Sequence, residues 1–192
     1  MPANPIEAKL MELPQARHFR ADDIARWIEA MSADAHPIEW HIARLSGIGG
    51  SESYATAQIE ALAKGENASF NAFVRPDMLV AQKLLRAIPR PSSAIMRRGN
   101  DLETVARSML LEESAGNPRD DLAQAMRQMR VPKHEWLIGN PDLVLERDGK
   151  IGIVDIKVPG KVHPRVSEQY VYQLHHYAIG FFAATKKLPD FL

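Results

Sequence analysis

Cysteine is absent from this 192-residue chain, which excludes disulfides, thiolate zinc sites and cysteine-ligated iron–sulfur clusters. Charge of one sign is also missing, because 24 Lys and Arg balance 24 Asp and Glu for a formal net charge of zero. That balance argues against indiscriminate coating of nucleic acid but leaves room for a local basic track. Candidate pieces are Arg97/Arg98, Arg127/Arg130/Lys133, Lys161/Arg165 and Lys186/Lys187, each of which alone reads as a solvated face. There is no run of about 18 apolar residues, and the opening MPANPIEAKLMELPQ has neither a basic n-region nor an apolar h-region. No internal repeat and no low-complexity segment occurs. The expectation is a cytoplasmic protein without membrane contact, built as one ordinary domain or as one domain with a helical appendage.

The most informative stretch is NPDLVLERDGKIGIVDIKVP, from Asn140 to Pro159. Asp148-Gly149 between apolar runs is the signal for a two-residue type I′ hairpin, since both central residues need positive φ. That turn fixes the register. Arg147 faces Lys150, Glu146 faces Ile151, Leu143 faces Val154, and Asp142 falls opposite Asp155. Directly opposed residues have Cβ atoms about 4.5–5.5 Å apart, and like charges there destabilise a sheet. A divalent cation would reverse the sign. Strand alternation puts Lys157 on the same face as the two acids. The strand IGIVDIKV is otherwise apolar on both faces, the signature of a central buried strand where charges are costly unless paired or metal-bound. The competing reading is a solvated edge hairpin with an Asp–Lys salt bridge, and the apolar context argues against it.

Residues 1–20 read as irregular. A helix opens at Asp22 or Asp23, with Ile24, Trp27, Ile28 and Met31 as its buried stripe. A break falls near His36-Pro37. Further helices are expected over Ser51–Lys64, stopped by Gly65, and over Asp77–Ile88 after Pro76. Pro89–Ser93 reads as a loop. Asn100–Glu113 and Arg119–Arg130 read as helices separated by SAGNP, and Ser167–Thr185 as a last helix after the hairpin. Helices before a short sheet, with one more to cover it, predict an α/β (α+β) fold with a central mixed sheet flanked by helices. Residues 1–39 would form an N-terminal helical extension and 40–192 the main domain. The chain stops at LPDFL, so either the protein is compact or the sequence is a piece of a longer one.

Other residues carry chemistry less distinctly. Glu103 lies three residues after Asn100 and reads either as the third-position acid of a capping arrangement or as a site acid. Gln173 and Tyr177 share one helix face with Val166 and Tyr170; packing explains the tyrosines, whereas Gln173 requires a polar partner. Gly47, Gly49 and Gly50 leading into Ser51 make either an ordinary Ser N-cap or an anion site at a helix start. Arg44, seven residues before Ser51, favours the anion site. His175 and His176 point about 100° apart and do not suit one ion. His134 reads as a strand-edge or loop residue, and Trp40 and Trp136 as core aromatics more than base-stacking ones.

Pro141-Asp142, the hairpin and Asp155-Ile156-Lys157 together resemble the PD-(D/E)xK core of restriction-endonuclease-like nucleases, with Asp where Asp or Glu is allowed. Arg98-Gly99 followed by Glu103, the segment RLSGIGGS from Arg44 to Ser51, and Gln173-x-x-x-Tyr177 occur in the order seen in the lambda exonuclease and YqaJ-type viral recombination nucleases. The likeness spans Trp40 to Ala184. It implies that Asp142, Asp155, the Ile156 carbonyl and Glu103 bind Mg2+, with Mn2+ as a substitute. It also implies that Lys157 serves the attacking water and the scissile phosphate, that Gln173 sits at the edge of the site, and that Arg44 and Ser51 hold a terminal 5′-phosphate. The implied activity is ATP-independent 5′-to-3′ exonuclease action on double-stranded DNA ends in recombination, in a bacterial or phage-infected cell. Such enzymes often form a ring-shaped homotrimer and work with a single-strand annealing protein. An endonuclease or nickase of the same core, or a non-catalytic DNA-binding module, are the alternatives. Joint retention of Glu103, Asp142, Asp155, Lys157 and Gln173 argues against the last.

Overall fold

The structure is a computed structural model that describes residues 5–32, 37–66, 74–88, 93–128, 131, 134–159 and 164–192. His36, Pro89 to Pro91, Ser92, Arg130, Lys133 and Lys161, to which expectations were attached, lie outside the described residues. The N-terminal part holds α1 (Pro5–Met11), α2 (Ala21–Ser32) and α3 (Ile38–Leu45). Residues 1–20 are therefore not irregular throughout, because α1 is followed by a 3₁₀ turn over Pro14–His18. Proline opens both, as its fixed φ and missing N–H allow. Their apolar residues make this worthwhile: Leu10 and Ala16 are fully buried against Trp27 and Met31 of α2, Leu45 of α3 and Leu85. This cluster draws on both sides of residue 39.

After β1 (Ile48–Gly49) and a 3₁₀ turn over Gly50–Glu52 come α4 (Ser53–Ala63) and α5 (Pro76–Lys83). Helix α5 stops short of the expected Ile88, because Leu85 takes φ 58° and turns its side chain into the N-terminal core. Helix α6 (Ala94–Ser114) starts six residues earlier than Asn100, and Ser93 Oγ caps it by accepting the Met96 N–H at 3.2 Å. A serine beside a proline-rich run offers the better start signal. Glu103 is therefore mid-helix, and its reading as an N-terminal capping acid is overturned.

Within SAGNP, read as a plain connection, β2 (Asn117–Pro118) pairs antiparallel with β4 (Leu143–Arg147). The strand is short, and Gly116 just before it lies so close to Leu145 that a Cβ would come within 2.7 Å of Cδ1. Helix α7 (Asp120–Gln128) and β3 (Leu137–Ile138) follow, then the hairpin of β4 and β5 (Lys150–Val154). Its register is the one expected, from Leu143↔Val154 to Arg147↔Lys150, with φ 53° at Asp148 and 72° at Gly149. The sheet runs β2–β4–β5 and is antiparallel throughout, small where a central mixed sheet was expected, and an isolated parallel bridge links Phe191 to Gly152 of β5. There Phe191 O accepts the Ile153 N–H at 3.1 Å. Strands β1 and β3 form a separate parallel pair. Helix α8 (Glu168–Thr185) covers the hairpin, and Ala123, Met126, Val144, Ile153, Tyr177 and Phe181 fill the space between. Val166 precedes α8 and is exposed, so it does not share the Gln173 face. Among the described residues no helix is long and apolar enough to cross a membrane.

Candidate active site

The hairpin ladder ends at Leu143 and Val154, and one step further the chains part. Asp142 and Asp155 stand at that open end. Asp142 Oδ2 accepts the Ile156 N–H at 2.7 Å, so a side chain takes a donor that a longer ladder would have given to a carbonyl. The Asp155 side chain is only 3% exposed, with Oδ2 2.6 Å from Lys157 Nζ. Its Oδ1 accepts from Gln173 Nε2 at 3.0 Å. The charge of Asp142 acts on the carboxyls of both Asp155 and Glu103. Asp155, Lys157 and Gln173 therefore touch, Asp142 stands beside them at the end of the hairpin, and Glu103 of α6 lies near enough for the charges of Asp142, Lys157 and Asp155 to act on its carboxyl.

The electrostatics follow from crowding. Burial pushes the Asp155 carboxyl up to about 6, against the pull of Lys157, and Asp142 adds to the rise. Burial likewise raises Glu103, helped by the charge of Asp142. Acids held together at the cost of their own ionisation favour a proton or a cation between them. Among the described residues, no three His, Asp or Glu side chains form a cluster able to hold a metal by themselves. The donor set fits an ion that takes a few carboxylate and carbonyl oxygens and keeps several waters, the habit of magnesium.

Gln173 supplies a second sign of fit. It is 4% exposed, and its Nε2 donates to Asp155 and to the Tyr177 hydroxyl, both at 3.0 Å. Its Oε1 is buried with no hydrogen-bond partner among the described residues. A buried acceptor left open beside an acid suits a water or an ammonium donor. Burial holds the Tyr177 phenol above its ordinary value, so it stays protonated. The Tyr177 ring also lies against the glycine-rich turn, where a Cβ on Gly50 would come within 2.6 Å of it. His176 is a core residue whose Nε2 lies 2.9 Å from Ile138 O, and burial lowers its basicity. His175 faces outward.

On the other side of Tyr177, Arg44 and Ser51 come together, with Arg44 Nη2 donating to Ser51 Oγ at 3.3 Å. Ser51 lies inside the 3₁₀ turn and α4 begins at Ser53, so Ser51 is not the simple N-cap. Arg44 lies over Trp40, 4.7 Å from the ring centroid, and its Nη2 is 2.9 Å from Glu52 Oε1. Glu52 Oε2 accepts the Gly49 N–H at 2.9 Å. Lys83 Nζ lies 2.9 Å from Glu52 Oε2, donates to Gly47 O at 2.6 Å, and also donates to Arg44 O. Sequence reasoning missed Glu52 and Lys83. Glu52, three residues after Gly49, had the spacing of a helix-start acid, whereas a lysine ending a helix gives no sign of burial.

Of the basic residues, Arg97 and Arg98 are exposed, and Arg127 Nε donates to Asn140 Oδ1 at 2.8 Å. Arg165 lines a groove of about 990 Å³ with Asp155, Lys157 and Tyr170. Trp136 is 44% exposed and edge-on to His134, which overturns its reading as a core residue. His134 forms an isolated bridge with Val131.

The model of one protein family, described as the YqaJ-like viral recombinase domain, matches residues 39–180. No curated protein and no solved structure matches the chain.

Proposed function

The chain belongs to the YqaJ-like viral recombinase family, which implies a nuclease acting in recombination, and from that premise we propose a magnesium-dependent deoxyribonuclease that enters duplex DNA at its ends and degrades the 5′-ended strand. The observation that carries this reading is the buried Asp155 at the open end of the hairpin beside Asp142, with Lys157 at 2.6 Å and Gln173 at 3.0 Å from it. Asp142, Asp155, Glu103 and the Ile156 carbonyl would hold Mg2+, or Mn2+ in its place. The cation, when bound, supplies Lewis acidity toward the phosphate and makes water a better nucleophile at neutral pH.

The remaining work falls to the chain. Lys157 is partly exposed and its ammonium lies beside an acid, so it offsets charge on the scissile phosphate as that charge grows. The open Oε1 of Gln173 accepts a hydrogen bond from the attacking water and so orients it. Arg44 and Ser51 take the terminal 5′-phosphate, with Trp40 supporting the guanidinium from behind. A homotrimer around the DNA and a single-strand annealing partner belong to the same reading. End-labelled linear duplex and covalently closed circles, each with Mg2+ and with chelator, test it. Linear DNA should lose its 5′-ended strand while circles persist. Equal cutting of circles replaces the exonuclease with an endonuclease, and no cleavage of either leaves a binding module.

A further inference from the structure

Arg44, the residue assigned to the terminal phosphate, does not enter the pocket as a lone cation. Its Nη2 is committed to Glu52 Oε1 and Ser51 Oγ, and Nη1 lies over Gly49, where a Cβ would come within 2.7 Å. A carboxylate at 2.9 Å, if it were the only neighbour, would cancel the charge that a phosphate needs. It is not the only neighbour. Glu52 is also 2.9 Å from Lys83 Nζ, and both Glu52 and Lys83 are largely buried. Burial of this kind makes every uncompensated charge in the group count strongly.

Resting on the end-recognition reading above, we propose that Glu52 and Lys83 are positioning residues for the 5′-phosphate pocket. Glu52 fixes the edge of the Arg44 guanidinium that faces the DNA end, and Lys83 neutralises Glu52 so that the group keeps one net positive charge. The two carboxylate oxygens divide the task, Oε1 toward Arg44 and Oε2 toward the Gly49 N–H and Lys83. Lys83 additionally gathers the Arg44 and Gly47 carbonyls, which ties the end of α3 to the glycine-rich turn. Without Lys83 the Arg44–Glu52 pair is formally neutral and a phosphate has to displace a carboxylate. With it, the phosphate meets a cation already oriented.

The test is the ratio of initial rates on 5′-phosphorylated and 5′-hydroxyl linear duplex at fixed salt, a ratio that divides out any loss of folded enzyme. Lys83→Met should lower the ratio about tenfold, the loss expected when one charge-assisted contact is weakened. Adding Glu52→Gln to Lys83→Met restores one net positive charge and should recover most of the preference, although a second buried polar partner has been removed. A merely structural role predicts the opposite, a double variant no better than the single one. An unchanged ratio in Lys83→Met, or no recovery in the double variant, overturns the proposal. If Lys83→Met does not fold, Glu52→Gln alone decides, because it adds positive charge while keeping an acceptor oxygen for Arg44; a reduced ratio there overturns it. A wild-type ratio near one instead removes the 5′-phosphate reading on which the proposal stands.

Discussion

Asp142 caps the backbone of Ile156: its Oδ2 accepts the Ile156 N–H at 2.7 Å, where the hairpin ladder has already ended. One acid thus closes the end of the ladder while its charge acts on the other two. Asp142→Asn keeps an oxygen for that N–H and removes the charge. It should fold normally and lose Mg2+-dependent cleavage by more than about a hundredfold, since disturbing even the partners of metal ligands costs 10–100-fold. Asp142→Ala also strands the N–H and should be less stable than Asn by about 1–3 kcal/mol. Thermal melts and rates on linear duplex separate the two effects, and near-normal turnover in Asp142→Asn would remove this acid from the metal site.

Lys157 touches Asp155 at 2.6 Å yet is one-third exposed, a geometry suited to acting on substrate as well as on the acid. Lys157→Ala should lower kcat by about 10²–10³ and change DNA affinity by less than about tenfold. Its role is exerted in the transition state, where charge on the phosphate is greatest. A parallel loss of affinity and turnover points to a binding lysine, and loss of the fold points to the simple salt bridge.

Gly50 couples the glycine-rich turn to the acids through Tyr177 and Gln173. A Cβ there would come within 2.6 Å of the Tyr177 ring, so Gly50→Ala should cost about 1–3 kcal/mol from overpacking and lower activity through the Gln173–Asp155 contact. Gly99, mid-helix with nothing near its Cβ position, is the contrast: Gly99→Ala should stabilise by roughly 0.5–1 kcal/mol. Chemical denaturation measures both. A Gly50→Ala protein of unchanged stability and activity breaks the proposed connection.

What was legible in the sequence was whatever local rules determine. Asp148-Gly149 admits few turns, and the turn sets the register that brings Asp142 and Asp155 together. Gln173 stood out as a polar residue within an apolar stripe. The rest depends on distant partners. Helix α5 stops at Lys83 because Leu85 is wanted in a core made by α1 and α2, and nothing near Leu85 says so. Strand β2 is two residues long, too short for any period. Lys83 drew no reading because the carboxylate and carbonyls that bury it lie 31 to 39 residues away.

Asp155 makes the cation testable without measuring cleavage. An acid whose folded pKa is about 6 against an ordinary 3.8 holds its proton more readily in the folded state. Its contribution to stability is therefore most favourable below about 4, falls as pH rises toward about 6, and is level above. At neutral pH the ionised carboxyl is a net cost to the fold, so chelated Asp155→Asn should melt higher than chelated wild type at pH 7.5 and no higher at pH 4. Mg2+ should reverse the order. It binds the ionised carboxyls, so it should raise the wild-type Tm at pH 7.5, raise it much less at pH 5 where protons compete, and leave Asp155→Asn nearly unmoved. An equal Mg2+ shift in wild type and Asp155→Asn would place the ion elsewhere, and a wild type indifferent to Mg2+ at both pH values would leave the raised carboxyl to a shared proton alone.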